Sequence, residues 1–538
     1  MLGLSGPQRI RELRLGVQTY CNHGHEDALA RYAQVRGMLD EARRTGVVLW
    51  TEEDRLLYRM PPGGIPSGLE GRLASNKSAI QAELDRPVFR HAPRQTSFLR
   101  YPEYWLDFWW ESQANLSLAN LTHATLRLLG SVSAERVSAA LEALAERHEL
   151  LRAKTVLVDG LPCLLYDTRH RLQIDSEDLA KLDGPVRSRR AQDMLERTIW
   201  TRFEDGQVFR ACILKLSANE TIVAFVLHHF VGDFFSCRIL AQELLDLLGG
   251  PGRTALSSGK PPLQYFDYHA AMERWMHGPG ALYRSRYWER QMDGAPPARL
   301  TPDWETEPGA PLALDSIVFT ADESLRAGVA RVAVAARASV PIVALAANFA
   351  ALSRALGHGD IVVTLIGTGR DHPPLMGMVG NTVNTFPVRV QVNAEMSFLE
   401  LLNRVGETYA IARDYQLPWA LVMQMLRAKN VNCAGPTFNY MQQRHTPARG
   451  AVPLLPEPGG RVGDLLIKGP AETGTVEWKS HELNITDLGN SLSGVLKYAS
   501  SRYRRERIER FTHTFLQCLR AIAHDPDQKI AVIPAEQP

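Results

Sequence analysis

Apolar residues recur along this chain at two spacings, and the switch between them predicts its elements. In YAQVRGMLDEARRTG (32–46) they fall at helical intervals, and Gly46 follows as a helix stop. VVLWTEEDRLLYRMPP (47–62) holds two short β-type runs around the polar turn TEED, a hairpin closed by prolines. GLEGRLASNKSAIQAELD (68–85) resumes helical spacing through Leu69, Leu73, Ile80 and Leu84. These stretches predict a small αββα module over residues 31–85. RPVFRHAPRQTS, polar with two prolines, predicts a linker over 86–96. Residues 1–30 carry no pattern that places them and form an unassigned lead. Beyond the linker helices and strands alternate. SAERVSAALEALAERHELL is a helix opened by Ser133, TIVAFVLHH a buried strand, and SCRILAQELLDLLGG a helix stopped by glycine. VPIVALAANFAALSRALG is an amphipathic helix, DIVVTLIGTG a buried strand, and NTVNTFPVRVQV a β-type run. The pattern is that of an α/β chain, about 440 residues past the linker and long enough for two lobes. No internal repeat or low-complexity tract interrupts it.

Composition narrows the class. With 45% hydrophobic residues in 538, the chain can bury two or three cores. Lys and Arg total 61 against 59 Asp and Glu, a net charge of +2, which offers no general attraction to nucleic acid or to an anionic membrane. Six scattered cysteines with no CxxC pair fit a reducing compartment. The start MLGLSGPQRIRELRLG is charged within ten residues, unlike a signal peptide, and no apolar run reaches the ~18 residues of a membrane span. The expectation is a soluble, cytoplasmic, monomeric protein.

The chemistry concentrates in TIVAFVLHHFVGDFFS (221–236), where an apolar strand ends in two histidines and an aspartate follows. Neighbouring strand side chains point to opposite faces, so His228 and His229 cannot share one task. One belongs to the core, the other to whatever lies across the strand end. Asp233, if buried, needs a cationic partner. A neutral imidazole aimed into a cleft could accept a proton from an incoming nucleophile. A lone strand histidine is ordinarily a satisfied core residue, and spacing alone leaves catalysis and structure evenly matched. Adjacent strand histidines rarely chelate one ion and no acidic cluster accompanies them, so no metal is expected. The GTG at 367–369 is too short for a dinucleotide fingerprint, and neither a Walker A lysine motif nor a GxSxG elbow is present.

HHFVGDF resembles the HHxxxDG motif of non-ribosomal peptide synthetase condensation domains, relatives of chloramphenicol acetyltransferase. Other segments resemble that family in the same order: RHELLR (147–152), VFRACILKL (208–216), QYFDYHA (264–270), GRDHPPLMGMVGNTVNTFPVR (369–389), YQLPWALV (415–422), PTFNY (436–440) and SGVLKYASSRYRRERIERF (493–511). The likeness spans about 97–535. Residues 46–84 resemble β-hairpin docking domains, which capture a linear motif at the tail of an upstream carrier protein.

The resemblance implies a V-shaped pair of chloramphenicol-acetyltransferase-like lobes, each an α+β two-layer sandwich, with an N-terminal lobe over 97–275 and a C-terminal lobe over 276–538. It implies that His229 positions or deprotonates the acceptor nucleophile and that His228 is structural. Asp233 would hold the loop by pairing with an arginine, with Arg147 or Arg152 as the expected partner and Arg370 and Asn384 as further support. Gly232 would offer either a backbone N–H near the reacting centre or the freedom to turn. In the docking module Trp50, Leu57 and Tyr58 would form apolar pockets, and Arg44, Arg55, Arg59 and Lys77 would meet an acidic tail; for each cation alone a solvated surface is the commoner explanation. The protein would need no cofactor of its own beyond the phosphopantetheine of the partner carrier.

Three departures stand out. Phe234 replaces the motif's final glycine, Ala271 stands where YxDYAxW has tryptophan, with Trp275 one turn on, and Tyr415 replaces the histidine of HQD. They put conventional aminoacyl-acceptor chemistry in doubt. The intact His pair argues against the cyclisation class. No adenylation or carrier motif is present, so the expectation is a stand-alone condensation enzyme. It would take an acyl chain from an upstream acyl or peptidyl carrier and pass it to a small-molecule amine or alcohol as chain release, like the releasing condensation enzymes of polyketide assembly lines such as that for enacyloxin. The alternatives are a carrier-bound aminoacyl acceptor, a non-catalytic recruitment platform, or an acyltransferase drawing on coenzyme A.

Overall fold

The structure, a computed structural model, describes residues 26–533 except 53–54, 60–63, 78–79, 81–88, 90–97, 101–120, 167–170, 202, 204–205, 250–260, 277–278, 297–299, 306–311, 429–434, 443–450, 455–460, 463–464, 467–472 and 475–480. The expected lead up to residue 25, and the linker apart from Phe89, lie outside the described residues. The chain divides into two compact units: Met1–Pro93 with Phe266–Arg290, and Arg94–Tyr265 with Gln291–Pro538.

In the first unit, helix α1 (Glu26–Arg44) ends where its sequence says it should. Gly46 adopts φ 79°, Val47 N–H donates to Ala42 O at 2.8 Å and Gly46 N–H to Arg43 O at 3.0 Å. This is a Schellman cap, whose left-handed residue favours glycine. Strands β1 (Val48–Glu52) and β2 (Arg55–Arg59) pair antiparallel as the expected hairpin, with Trp50 opposite Leu57. Helix α2 (Leu69–Ser75) follows. Val35, Met38, Leu39, Ala42, Val47, Leu69, Leu73 and Ile80 form the core, with Leu49, Leu56 and Ile65 against it. The unit also holds most of the helices Tyr265–Met276 and Pro279–Gln291, where the Arg284 guanidinium lies 5.0 Å over the Trp275 ring.

The second unit carries two main sheets. The five-stranded one is formed by β3 (Leu121–Leu129), β4 (Ile174–Asp178), β5 (Phe209–Ser217), β6 (Glu220–His228) and β11 (Ala451–Leu454), in the order β11-β3-β6-β5-β4. Strand β6 is buried on both faces. Ile222, Ala224 and Val226 pack with Ala191, Leu195 and Ile199 of helix α4 (Gly184–Trp200), and the alternate residues Val223, Phe225 and Leu227 are also fully buried. That explains why its sequence is continuously apolar. Helices α3 (Ala134–Arg147) and α5 (Phe234–Leu247) complete this half. Strand β11 comes from far along the chain to pair with β3, with Pro453 opposite Leu126.

The seven-stranded sheet contains β7 (Leu312–Ala321), β8 (Asp360–Gly367), β9 (Asn384–Gln391), β10 (Thr437–Gln442), β12 (Thr473–Gly474), β13 (His481–Asp487) and β14 (Leu492–Ala499), in the order β9-β8-β10-β13-β14-β7-β12. Helices α6 (Val340–Leu356), α7 (Phe398–Asp414) and α8 (Arg505–His524) belong to the same half. His481 and Phe319 meet Phe511 and Phe515 of α8, with ring centroids 4.8 and 5.7 Å apart. Ile508, Phe511, Phe515, Cys518, Leu519 and Ile522 bury one stripe of α8, each large apolar side chain contributing roughly 1.5–3 kcal/mol. The alternate residues of β13, Glu482 and Asn484, are half-buried, and Asn439 Nδ2 donates to Asn484 Oδ1 at 3.0 Å. On β13 one face is therefore buried and meets helix α8, and the other carries polar side chains.

Candidate active site

His228 ends β6, on the same face as Val226 and Ala224, and its ring lies 6.0 Å from that of Phe203, which packs against the same cluster. Phe230 N–H donates to His228 Nδ1 at 3.1 Å, so Nδ1 carries the lone pair and a neutral ring is protonated at Nε2. Burial, aided by the neighbouring His229, lowers its pKa to about 4. His228 is thus held as a neutral imidazole, although the residue as a whole is half-buried like His229.

His229 follows the strand and is half-buried. Its Nδ1 lies 3.0 Å from the Gly232 carbonyl oxygen. A carbonyl can only accept, so Nδ1 carries the proton and Nε2 is the basic nitrogen of the neutral ring. The two histidines are held in opposite tautomers. The Gly232 carbonyl also accepts from Thr122 Oγ1 at 3.3 Å, which ties the loop to β3.

Gly232 belongs to the turn after β6 and does not face a reacting centre. Its N–H donates to His228 O at 3.0 Å and is spent inside the loop rather than offered to a reacting centre. Nor does it use the left-handed conformation. Glycine is needed here for space, since an added Cβ would lie 2.9 Å from Leu227 Cβ.

Asp233 is the N-cap of α5. Its Oδ1 accepts from Ser236 N at 2.7 Å and Ser236 returns the bond to Asp233 N, a capping box. The carboxylate is fully buried and its cation is Arg370, whose guanidinium donates to both oxygens at 3.0 and 3.1 Å. Arg370 also donates to the carbonyls of Leu375, Met378 and Gly380 at 2.6, 2.7 and 2.9 Å. The expected partners Arg147 and Arg152 do not reach Asp233. Arg147 pairs with Glu243 at 3.2 Å, where His148 Nε2 also approaches at 2.6 Å. Arg152 donates to Tyr166 Oη at 2.8 Å. The reason is geometric: Glu243 sits ten residues along α5 from Asp233, about 15 Å at 1.5 Å per residue.

Loop 380–382 fastens this knot from the other sheet. Gly380 N–H donates to Ser236 Oγ at 3.0 Å, Asn381 N–H to Val231 O at 2.8 Å and Thr382 N–H to Asp233 Oδ2 at 3.2 Å. Ser236, Asn381 and Thr382 were not among the expected site residues. The Asp-x-x-Ser spacing of a capping box was the one readable signal for Ser236. Asn384 stands at the start of β9 and binds the segment after α7, donating to Leu417 O at 2.9 Å and accepting from Trp419 N at 2.9 Å. Phe234, at the first turn of α5, stacks edge-on with Phe235 at 5.8 Å. Among the described residues no group of three or more His, Cys, Asp or Glu is arranged to hold a metal ion, and no single helix is long and apolar enough to cross a membrane.

In the first unit, Leu57 is half-buried and Tyr58, Arg59, Lys77 and Arg44 are exposed. Tyr58 Oη donates to Glu70 at 2.8 Å and Arg44 Nε to Asp40 O at 3.4 Å. The backbones of Trp50 and Arg55 lie in the hairpin; their side chains lie outside the described set.

Comparison with known proteins gives the family and the fold. The family model of the condensation domain matches residues 111–535. A linear gramicidin synthase of Brevibacillus parabrevis is 26% identical over 487 residues, covering 89% of this chain but 9% of that protein, so the chain spans a small part of that relative's length. A structure described as the basis for condensation domain-mediated chain release from the enacyloxin polyketide synthase has a TM-score of 0.66 at 20% identity, covering 93% of this chain and 96% of that one. The cyclization-docking bidomain of the EpoB synthetase from Sorangium cellulosum has a TM-score of 0.66 at 15% identity, covering 92% and 99%. At these identities the two structures share the fold, which bears out the expected mixed α/β architecture. With most of its length matched by the family model, the chain belongs to the condensation-domain family.

Proposed function

We propose that this chain transfers a carrier-bound acyl group from its phosphopantetheine thioester to an amine or hydroxyl acceptor, as chain release onto a free small molecule. The observation that carries the reading is the His229 tautomer. Gly232 O holds the Nδ1 proton, and Nε2 is the nitrogen that can take a proton from the acceptor. As the N–H or O–H proton moves to Nε2, the nucleophile bonds to the thioester carbon. The C–S bond then breaks, the imidazolium returns the proton to the departing sulfur, and an amide or ester and a free pantetheine thiol remain. Asp233 and Arg370 act on neither reactant; they fix the loop that aims the ring. The intact His229 geometry favours catalysis over a recruitment platform.

The donor would be recruited by the hairpin module. Among the described residues β1 and β2 form a two-stranded sheet, so an outer edge can accept an extended carrier tail by β-augmentation. Arg59, the last residue of β2, and Lys77, just after helix α2, are exposed and suit an acidic tail. Phe234, a ring where the HHxxxDG motif has glycine, gives a reason to expect an acceptor other than a carrier-bound amino acid.

The test is a mass measurement. An acyl-loaded donor carrier is mixed with the protein and either a pool of free amines and alcohols or an aminoacyl-loaded second carrier. Chain release predicts acyl loss with the free pool, and the product mass separates amide from ester. Transfer with the loaded second carrier alone would contradict it.

A further inference from the structure

We propose that Asn381 is a positioning residue for His229, a role that rests on the reading of His229 as the base. Asn381 is 2% exposed and reaches the His229 loop from the segment between the two strands β8 and β9 of the seven-stranded sheet. Its Nδ2 donates to the carbonyl oxygen of His229 itself at 2.7 Å. Its backbone N–H donates to Val231 O at 2.8 Å, and its Oδ1 accepts from Val383 N–H at 3.0 Å. The orientation of the amide has a single solution. A carbonyl faces one end and an N–H the other, so the NH2 group must meet His229 and the oxygen must meet Val383.

Asn381 therefore holds the peptide oxygens of residues 229 and 231, one on each side of Phe230. The Nδ1–Gly232 bond closes across these same peptides. Its 3.0 Å length sets the tautomer of His229 and the direction of Nε2. The bond to Val231 O is made by the backbone and survives substitution; freeing the His229 carbonyl lets the loop rotate at the base itself, and a displacement of about 1 Å in a base can cost on the order of 100-fold in rate. Ser236 and Thr382 hold the neighbouring Asp233. Asn381 instead ties the base's own backbone to the other sheet.

Two variants test the idea in the full chain with a loaded donor carrier. Asn381→Ala removes both side-chain bonds. Asn381→Asp keeps the size and the acceptor for Val383 N–H, and replaces the donor to His229 O with a carboxylate oxygen that cannot donate while ionised. Both are expected to lower the single-turnover transfer rate by roughly 10- to 100-fold, with acceptor KM and carrier binding unchanged. A protonated carboxyl can donate where a carboxylate cannot. The ratio of Asn381→Asp to wild-type rate should therefore rise as pH falls, a response that a packing role would not produce. Should Asn381→Ala fail to fold, Asn381→Asp carries the test alone. His229→Ala is measured alongside. If it is inactive while Asn381→Asp matches wild type at every pH, the positioning role is overturned and the base stands. If His229→Ala is active, the base reading fails and the positioning role falls with it.

Discussion

A Cβ added at Gly232 would lie 2.9 Å from the Leu227 Cβ and 3.1 Å from one of its methyl carbons. The loop cannot widen freely there, because Gly232 O holds His229 and Thr122 and Gly232 N–H holds His228 O. Gly232→Ala is expected to cost about 1–3 kcal/mol by overpacking and to lower the transfer rate by shifting the acceptor of the His229 Nδ1 proton. Adding Leu227→Ala removes the two methyl carbons but keeps the closest atom, the Leu227 Cβ, so it should restore little of the rate; Leu227→Gly, which removes the Cβ as well, should restore more. Urea unfolding and a single-turnover assay read the two effects. At this scale the His pair and Asp233 were legible because six adjacent letters carry them. Arg370 as the partner of Asp233 was not, since 137 positions separate the two and only the fold brings them together. The demand on Gly232 was equally hidden, because it depends on where Leu227 points.

At the scale of elements, α5 is the piece that joins the sheets. Its N-cap is the Asp233 carboxylate, and Arg370 with loop 380–382 closes over it from the strands β8 and β9. The ion pair is almost wholly inaccessible, at 2% and 0% side-chain exposure. Removing one partner strands a buried charge, so Arg370→Ala is expected to destabilise the fold by about 3–5 kcal/mol. Arg370→Lys should recover little, because the guanidinium donates to Asp233 and three carbonyls at once. Chemical denaturation of the two variants checks both statements. Most elements were readable from periodicity, including the Schellman-capped first helix and the hairpin after it. Strand β11 was not. It has four residues, contains Pro453 and pairs at the edge of a sheet whose other strands lie over 121–228, so neither length nor alternation marked it.

At the scale of the whole molecule, several histidines are buried as neutral rings. Burial lowers the pKa of His123, His228 and His481 to about 4 and that of His269 to about 3, from 6.5. The unfolded chain binds protons at these sites between 6.5 and those lower values while the folded chain does not. Their contribution is therefore complete above pH 6.5 and is lost as pH falls toward 4, each ring withdrawing about 1.4 kcal/mol per pH unit within that window. Asp360, held down by its bond to Arg389, and Asp487, bonded to Arg326, act in the same direction only at lower pH, below the ordinary carboxylate value of 3.8. The urea midpoint should fall steadily from pH 7 to pH 5. A flat midpoint across that range would mean that these rings gain protons in the folded state.

The central claim is that His229 is the base for acyl transfer, and the loss of acyl mass from the donor carrier in a single turnover tests it most directly. Wild type and His229→Ala are compared at equal carrier occupancy and with the same acceptor. The account predicts a fall of about 100- to 10,000-fold in the variant, with carrier binding and melting temperature unchanged. Equal rates in the two proteins would contradict it.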